Sequence, residues 1–400
     1  MNLEIPTPLI PFLGACLYGD AKMFYAGLDH AGRKDLEDQA GQHKMSAWLY
    51  RYLNDLLPES QRAEYRRVFM VQQANAIRAA YELKRVCGVM REAGLRFALI
   101  KGADLAYRVY SEPALRLFED WDILFHPDDC DRALEVLSGD GWEIPPRYTD
   151  KHEDVMKFNE HHFSPHMRCE YLIEPHYTLP NFTDVDPHEI WEYTAELPGG
   201  GQHVLSPELN LLMLTRHAAT KAYFHADLPK LLPDAAMIMR MEKVDFMKLR
   251  AMTGMWHLPY SGDLLAAFHE FFPEDIRAAF HADPEETSRF RTIFEERAVL
   301  GKPRSVSLAF SQFRAQGNTV RGSLDHILGC TPNRMRYLYR LPKHGAWGRL
   351  TWAYVLYFLT RSWRFVRTFT RHDKHLLQEY CTIVEEMESK ASRKKKQSPE

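Results

Sequence analysis

Six consecutive residues of this chain, Asp120-Trp121-Asp122-Ile123-Leu124-Phe125, leave little choice of local structure. A strand turns successive side chains to opposite faces, so Trp121, Ile123 and Phe125 share one face while Asp120 and Asp122 share the other. The apolar face demands something to pack against. The acidic face demands a counter-charge, because two neighbouring carboxylates repel one another unless a cation lies between them. On this reading, neutralising both aspartates should leave the fold intact and, if anything, raise its stability.

The flanking sequence predicts the rest of the sheet and its cover. Residues 64–92 lack proline and place Val68, Val71, Ile77, Leu83, Val86 and Met90 at roughly helical intervals, with Gly94 as the stop. Residues 95–100 read as a buried strand running into Lys101-Gly102, followed by a helix over 103–110 and a break at Pro113. Pro127 opens another helix to about residue 137. Two strands, 161–166 and 170–177, flank Met167-Arg168 as a hairpin turn. The second carries Tyr171, Ile173 and Tyr177 on one face and Glu170, Glu174 and His176 on the other.

Gly199-Gly200-Gly201 marks a boundary, and Ser206-Pro207-Glu208 is a helix start with a capping serine, a first-turn proline and an early acid. Helical patterning continues to about residue 328. The pattern predicts an α/β (α+β) protein: an N-terminal helical region over 1–92, a small mixed-sheet core over 93–200, a C-terminal helical domain over 201–330, and a basic, aromatic segment with a polar tail over 331–400.

Composition narrows the function classes. A chain of 400 residues with 45% hydrophobic content can bury the cores of two or three packed units. A net charge of -3 gives no global attraction to nucleic acid or acidic membranes. Any basic surface must be local. The segment from Arg334 to Arg371 supplies one, with Arg336, Arg340, Arg349, Arg361, Arg364 and Arg367 among tyrosine, tryptophan and phenylalanine. It suits contact with nucleic acid or a membrane surface, and equally an amphipathic end that packs on the body. Six cysteines stand singly and read as reduced core thiols. Neither a secretory leader nor a membrane-spanning run of ~20 apolar residues is evident, so a cytoplasmic location is expected.

Magnesium, or manganese, answers the acidic strand face best, because hard cations take carboxylate oxygens and keep other positions for water and substrate phosphates. Glu174, if its strand lies beside Asp122, adds a third oxygen donor. Zinc on His161, His162, His166 and His176 is disfavoured: His161 and His162 point to opposite strand faces, and no cysteine set completes a site.

The run ALIKGADLAYRVYSEPALRLFEDWDILFHPDD, followed by CEYLIEPHYTL, resembles the uncharacterised bacterial nucleotidyltransferase family of the DNA polymerase beta superfamily. The likeness extends more weakly to REAGLRFALIKG, SPELNLLMLTRHAATKAYF and LPDAAMIMR. The resemblance implies Asp120 and Asp122 as metal ligands and Glu174 as the third carboxylate. It implies Lys101 and Gly102 as the phosphate turn, Arg116 as a planar fork for triphosphate oxygens, and His176 as the histidine after the third acid. Arg116 also stands within reach of Glu112 and Glu119. His217 and Lys221, one helical turn apart, are candidates to face the nucleotide. The implied reaction is transfer of a nucleoside monophosphate from an NTP, ATP among them, to a hydroxyl-type acceptor, with a small molecule favoured. Kinase-like transfer of the γ-phosphoryl group and a catalytically inactive nucleotide-binding regulator are the rivals.

Overall fold

The alternating strand sits in the middle of a sheet, and the rest of the sheet is assembled around it. In the computed structural model, residues 8–145, 162–180, 182, 185–220, 228–256, 348–349 and 351–355 are described. The chain divides into two compact units, one of residues 1–144 and 161–299 and one of 145–160 and 300–400. The account below concerns the first. Of the second, the described residues include a helical stretch at 351–355; most of the basic, aromatic segment lies outside the described residues, as does Lys221.

Four N-terminal helices, α1 (Leu9–Tyr18), α2 (Ala21–Gly27), α3 (His30–Gln42) and α4 (Ser46–Leu53), precede the long α5 (Glu59–Glu92). The core then runs β1 (Phe97–Leu99), α6 (Lys101–Arg108), β2 (Trp121–Phe125), α7 (Cys130–Gly139), β3 (His166–Arg168) and β4 (Tyr171–His176). The short α8 (Pro187–Trp191) leads into β5 (Thr194–Glu196) and β6 (Gln202–Leu205), and the helices α9 (Pro207–Thr220), α10 (Leu228–Met241) and α11 (Phe246–Met255) follow. The six strands lie in the order β3-β4-β2-β1-β6-β5. β2 runs antiparallel to β1 and parallel to β4, so the sheet is mixed. The predicted α+β class holds.

One sheet face is the core. Trp121, Ile123 and Phe125 of β2 join Phe97 and Ile173 beneath Leu83, Val86, Cys87 and Met90 of α5 and Ala133 and Leu137 of α7. Only the C-terminal half of the predicted α5 stripe is used: Val71 is 52% exposed and Ile77 62%. A helix of 34 residues is about 50 Å long, more than a short-stranded sheet can cover. The N-terminal helices bring Trp48, fully buried, against the turn before β2, where its indole Nε1 donates to the Leu115 carbonyl at 2.9 Å.

The predicted hairpin is present with its turn moved. β3 pairs with β4 through Met167↔Leu172 and Arg168↔Tyr171, leaving Cys169-Glu170 as the two-residue loop. Met167 and Arg168 are therefore strand residues. Two-residue hairpin loops need left-handed backbone, and Cys169 supplies it with φ 53°. That position also makes Cys169 exposed, where a core thiol was predicted; Cys16, Cys87 and Cys130 are buried. The predicted strand over 161–166 reduces, among the described residues, to a single bridge from His162 to His176, with β3 beginning only at His166.

An ionic cluster ties α5 to the end of α7 and to the hairpin. Arg85 donates to both Asp140 oxygens, at 2.8 and 2.6 Å, and to Glu82, which also accepts from Arg168 at 2.7 Å. The hydrogen bonds from Arg85 outweigh burial and hold the Asp140 carboxyl below the usual aspartate range. A depressed folded-state pKa stabilises above the unfolded value, near 3.9, and the gain is lost as pH falls through the folded value. Asp140→Asn should therefore cost about 2 kcal/mol at neutral pH and progressively less as pH falls below the usual aspartate range. Urea unfolding across pH 7 to 2 measures it, and a loss that does not shrink with pH would refute the assignment.

Among the described residues, no helix is long and apolar enough to cross a membrane.

Candidate active site

The second face of the sheet carries the acids. β2 and β4 run parallel with Asp122 opposite Glu174 and Leu124 opposite His176, so the third carboxylate lies directly beside the second aspartate on one face. Asp122, Glu174 and His176 offer ligand atoms that all lie within 4.8 Å of one another. Asp120 is half-buried one pleat away and lines the same pocket as Asp122.

Asp122 is 3% exposed and tightly partnered. Its Oδ1 lies 2.6 Å from the Lys101 ammonium and 2.8 Å from His176 Nε2. Burial pushes this carboxyl up, but the Lys101 charge and the His176 hydrogen bond together hold it well below the usual range. Glu174 moves the other way: burial raises it, and the Asp122 and Asp120 charges raise it further. One carboxylate is kept ionised while its neighbour is made a better proton acceptor. His176, fully buried, is pushed down to about 4, chiefly by burial. The imidazole is thus neutral at pH 7, and its Nε2–H donates to Asp122. Burial places this ring behind the acid, in contact with Asp122 and away from the open pocket. Its neighbour His162 sits ring to ring with it at 5.3 Å, whereas His166 turns Nδ1 toward the Ser164 carbonyl at 2.9 Å.

The turn between β1 and α6 borders the acids. Lys101 takes left-handed backbone, φ 52°, an uncommon conformation for a residue with a Cβ. The strained position is Lys101, and Gly102 is required for space: a Cβ there would stand 2.5 Å from Phe118 Cβ and 3.5 Å from Arg116 Nη1. α6 begins at this turn, so its first backbone N–H groups belong to the same region.

Arg116 is not paired with Glu112 or Glu119; they take Arg51 and Lys44. Its Nε meets both Asp234 oxygens, at 2.8 and 2.9 Å, and its Nη1 donates to the Leu117 carbonyl at 2.9 Å. Arg116 and Asp234 nonetheless line one cavity of about 250 Å³ with Lys101, Gly102, Asp120 and Asp122. His217 is on its wall as well.

Among the charged wall residues, Lys44, Lys230 and Asp234 were not assigned to the site by the sequence reading. Lys44 comes from the α3–α4 loop, and Lys230 and Asp234 come from α10. No local pattern marks either lysine, and Asp234 was visible only inside the LPDAAMIMR segment. A second group, His126, Asp128 and His188, also has ligand atoms within 4.8 Å. Arg96 already lies against it, 3.2 Å from His126 Nε2 and 3.4 Å from Asp128, so a cation is in place there.

Asp120 and Asp122 beside a glycine turn at a helix start in one charged cavity, with Glu174 next to Asp122 on the parallel strand, suit the chemistry of a nucleotidyltransferase. Comparison with known families agrees: residues 30–259, more than half of the chain, match the family described as uncharacterised nucleotidyltransferase, and the chain belongs to that family. No curated protein and no solved structure matches it.

Proposed function

We propose that the protein transfers a nucleoside monophosphate from an NTP to a hydroxyl-type acceptor, releasing pyrophosphate, with magnesium or manganese bound at Asp120, Asp122 and Glu174. The observation that carries this reading is the register of β2 against β4, which sets Glu174 beside Asp122 next to the Lys101-Gly102 turn. The donor set fits a hard divalent ion. Its oxygens come from two strands, with the Asp122 and Glu174 ligand atoms within 4.8 Å of one another and Asp120 on the wall of the same cavity as Asp122. When bound, the ion lowers the charge on the α-phosphate and on the departing pyrophosphate.

The chain's own residues do the rest. Asp122 is held ionised and oriented by the His176 N–H behind it. Lys101, the α6 N-terminus and Arg116 hold the phosphates, and the absence of a Cβ at Gly102 lets the turn stay close to Phe118. Glu174 accepts the acceptor's hydroxyl proton as its oxygen bonds to the α-phosphorus and the bond to the β-phosphate breaks. His217 borders the nucleotide from α9, and the small molecule enters between the core and the C-terminal helices. The family's place in the DNA polymerase beta superfamily belongs to the same proposal.

Product analysis tests it. Incubation with each of the four NTPs, labelled at α and γ, and magnesium should yield pyrophosphate and an α-labelled product. NDP with γ-label on the product would replace this reading with kinase chemistry, and no turnover with specific nucleotide binding would favour a regulatory protein.

A further inference from the structure

Arg116 is a tightly held cation of the pocket, and its constraint comes from far along the chain. Asp234 is 118 positions away, on α10, and is 1% exposed. It accepts the Arg116 Nε–H on both oxygens, and its Oδ1 also accepts the Tyr110 hydroxyl at 2.8 Å. Tyr110, just beyond α6, is itself buried. The Leu117 carbonyl takes Nη1. Three acceptor contacts from two directions fix the guanidinium plane, and they fix it 3.5 Å from the point where a Gly102 side chain would begin.

A buried ion pair is a poor device for stability alone, since apolar residues of the same volume often do as well. Its use is in setting a position. An arginine left to itself carries side-chain rotamer entropy that binding must overcome, and a pre-set guanidinium avoids that loss.

We infer that Asp234 is a positioning residue for the nucleotide, holding the Arg116 guanidinium beside the Gly102 turn so that the α10 helix and the phosphate turn form one triphosphate seat. This rests on the reading of that turn as the phosphate site. Asp234 acts through Arg116 and does not itself meet the anion, which its charge would repel. The same helix offers Lys230 one turn earlier on the pocket wall, so α10 faces the phosphates with a cation and with the anchor of a second one.

The test is calorimetric titration of the full chain with magnesium tripolyphosphate, which carries the phosphate chemistry without a base, and with the four NTPs. Asp234→Asn removes the charge that orients Arg116. Asp234→Glu keeps the ion pair, and with it the fold, but moves the carboxylate by one methylene. Both should weaken tripolyphosphate about tenfold or more. Combining either with Arg116→Gln should weaken it no further than Arg116→Gln alone, because one contact cannot be lost twice. Wild-type affinity in Asp234→Glu, folded by thermal melting, would reduce Asp234 to a structural tie and overturn the inference. Failure of the wild-type protein to bind tripolyphosphate or any NTP would overturn the phosphate-site reading itself.

Discussion

Asp122→Asn is expected to abolish magnesium-dependent turnover, by at least ~10³-fold, since on the proposed reading it removes a charged metal ligand, a loss that should exceed the 10–100-fold typical of changes behind the ligands. It should also destabilise the protein by about 3 kcal/mol. The second effect reverses what repulsion between two strand carboxylates implies. The Lys101 side chain is only 13% exposed, and its ammonium sits 2.6 Å from Asp122. Removing the carboxylate charge therefore leaves a nearly buried cation behind. Asp120→Asn should match the loss of turnover while leaving the Lys101–Asp122 pair in place. Urea unfolding beside a turnover assay separates the two variants. Full turnover in Asp122→Asn would remove this residue from the chemistry.

Gly102→Val is the second large effect. A Cβ at 2.5 Å from the Phe118 Cβ cannot be accommodated by swinging a flexible side-chain end, since the atom it meets is fixed to the backbone. The turn or the segment before β2 must move, at about 3 kcal/mol. That movement also displaces Arg116, whose Nη1 is 3.5 Å from the same point. Magnesium NTP binding should fall by two orders of magnitude or more, and Gly102→Ala should show most of both effects because the overlap begins at Cβ. An Ala variant with wild-type affinity and melting temperature would show that the turn carries no phosphate. The requirement for glycine here comes from crowding; left-handed backbone belongs to Lys101, one residue earlier.

These expectations turn on features with different origins. The faces of β2 follow from alternation alone, because side-chain direction in a strand has period two whatever surrounds it. Trp121, Ile123 and Phe125 accordingly pack under α5 and α7, opposite Asp122. β1, β2 and β4 were legible from short apolar runs, whereas β5 and β6, on either side of the Gly199-Gly200-Gly201 run read as a boundary, and the parallel pairings were not. The hairpin turn was not: moving it from Met167-Arg168 to Cys169-Glu170 depends on strand register, which the buried partners of β4 set. The α5 stripe was legible as a helix but not as to which half is covered, since that depends on how far the sheet extends beneath it.

For the site, residue types and spacing on β2 were enough to nominate Asp120 and Asp122, and the ordered set of motifs nominated Glu174, Lys101, Gly102 and Arg116. Whom each of them meets lay beyond any local pattern. Asp122 faces Glu174 only because β4 runs parallel to β2 in that register. Lys101 reaches back to Asp122 only because the chain turns left-handed as it leaves β1. Arg116 ignores the glutamates beside it in sequence for an aspartate 118 positions away. The physical reason is the range of the forces involved. Periodicity and turn chemistry act within a few residues and can be read along the chain, whereas the burial of a charge selects its partner from whatever the folded backbone places within hydrogen-bond distance.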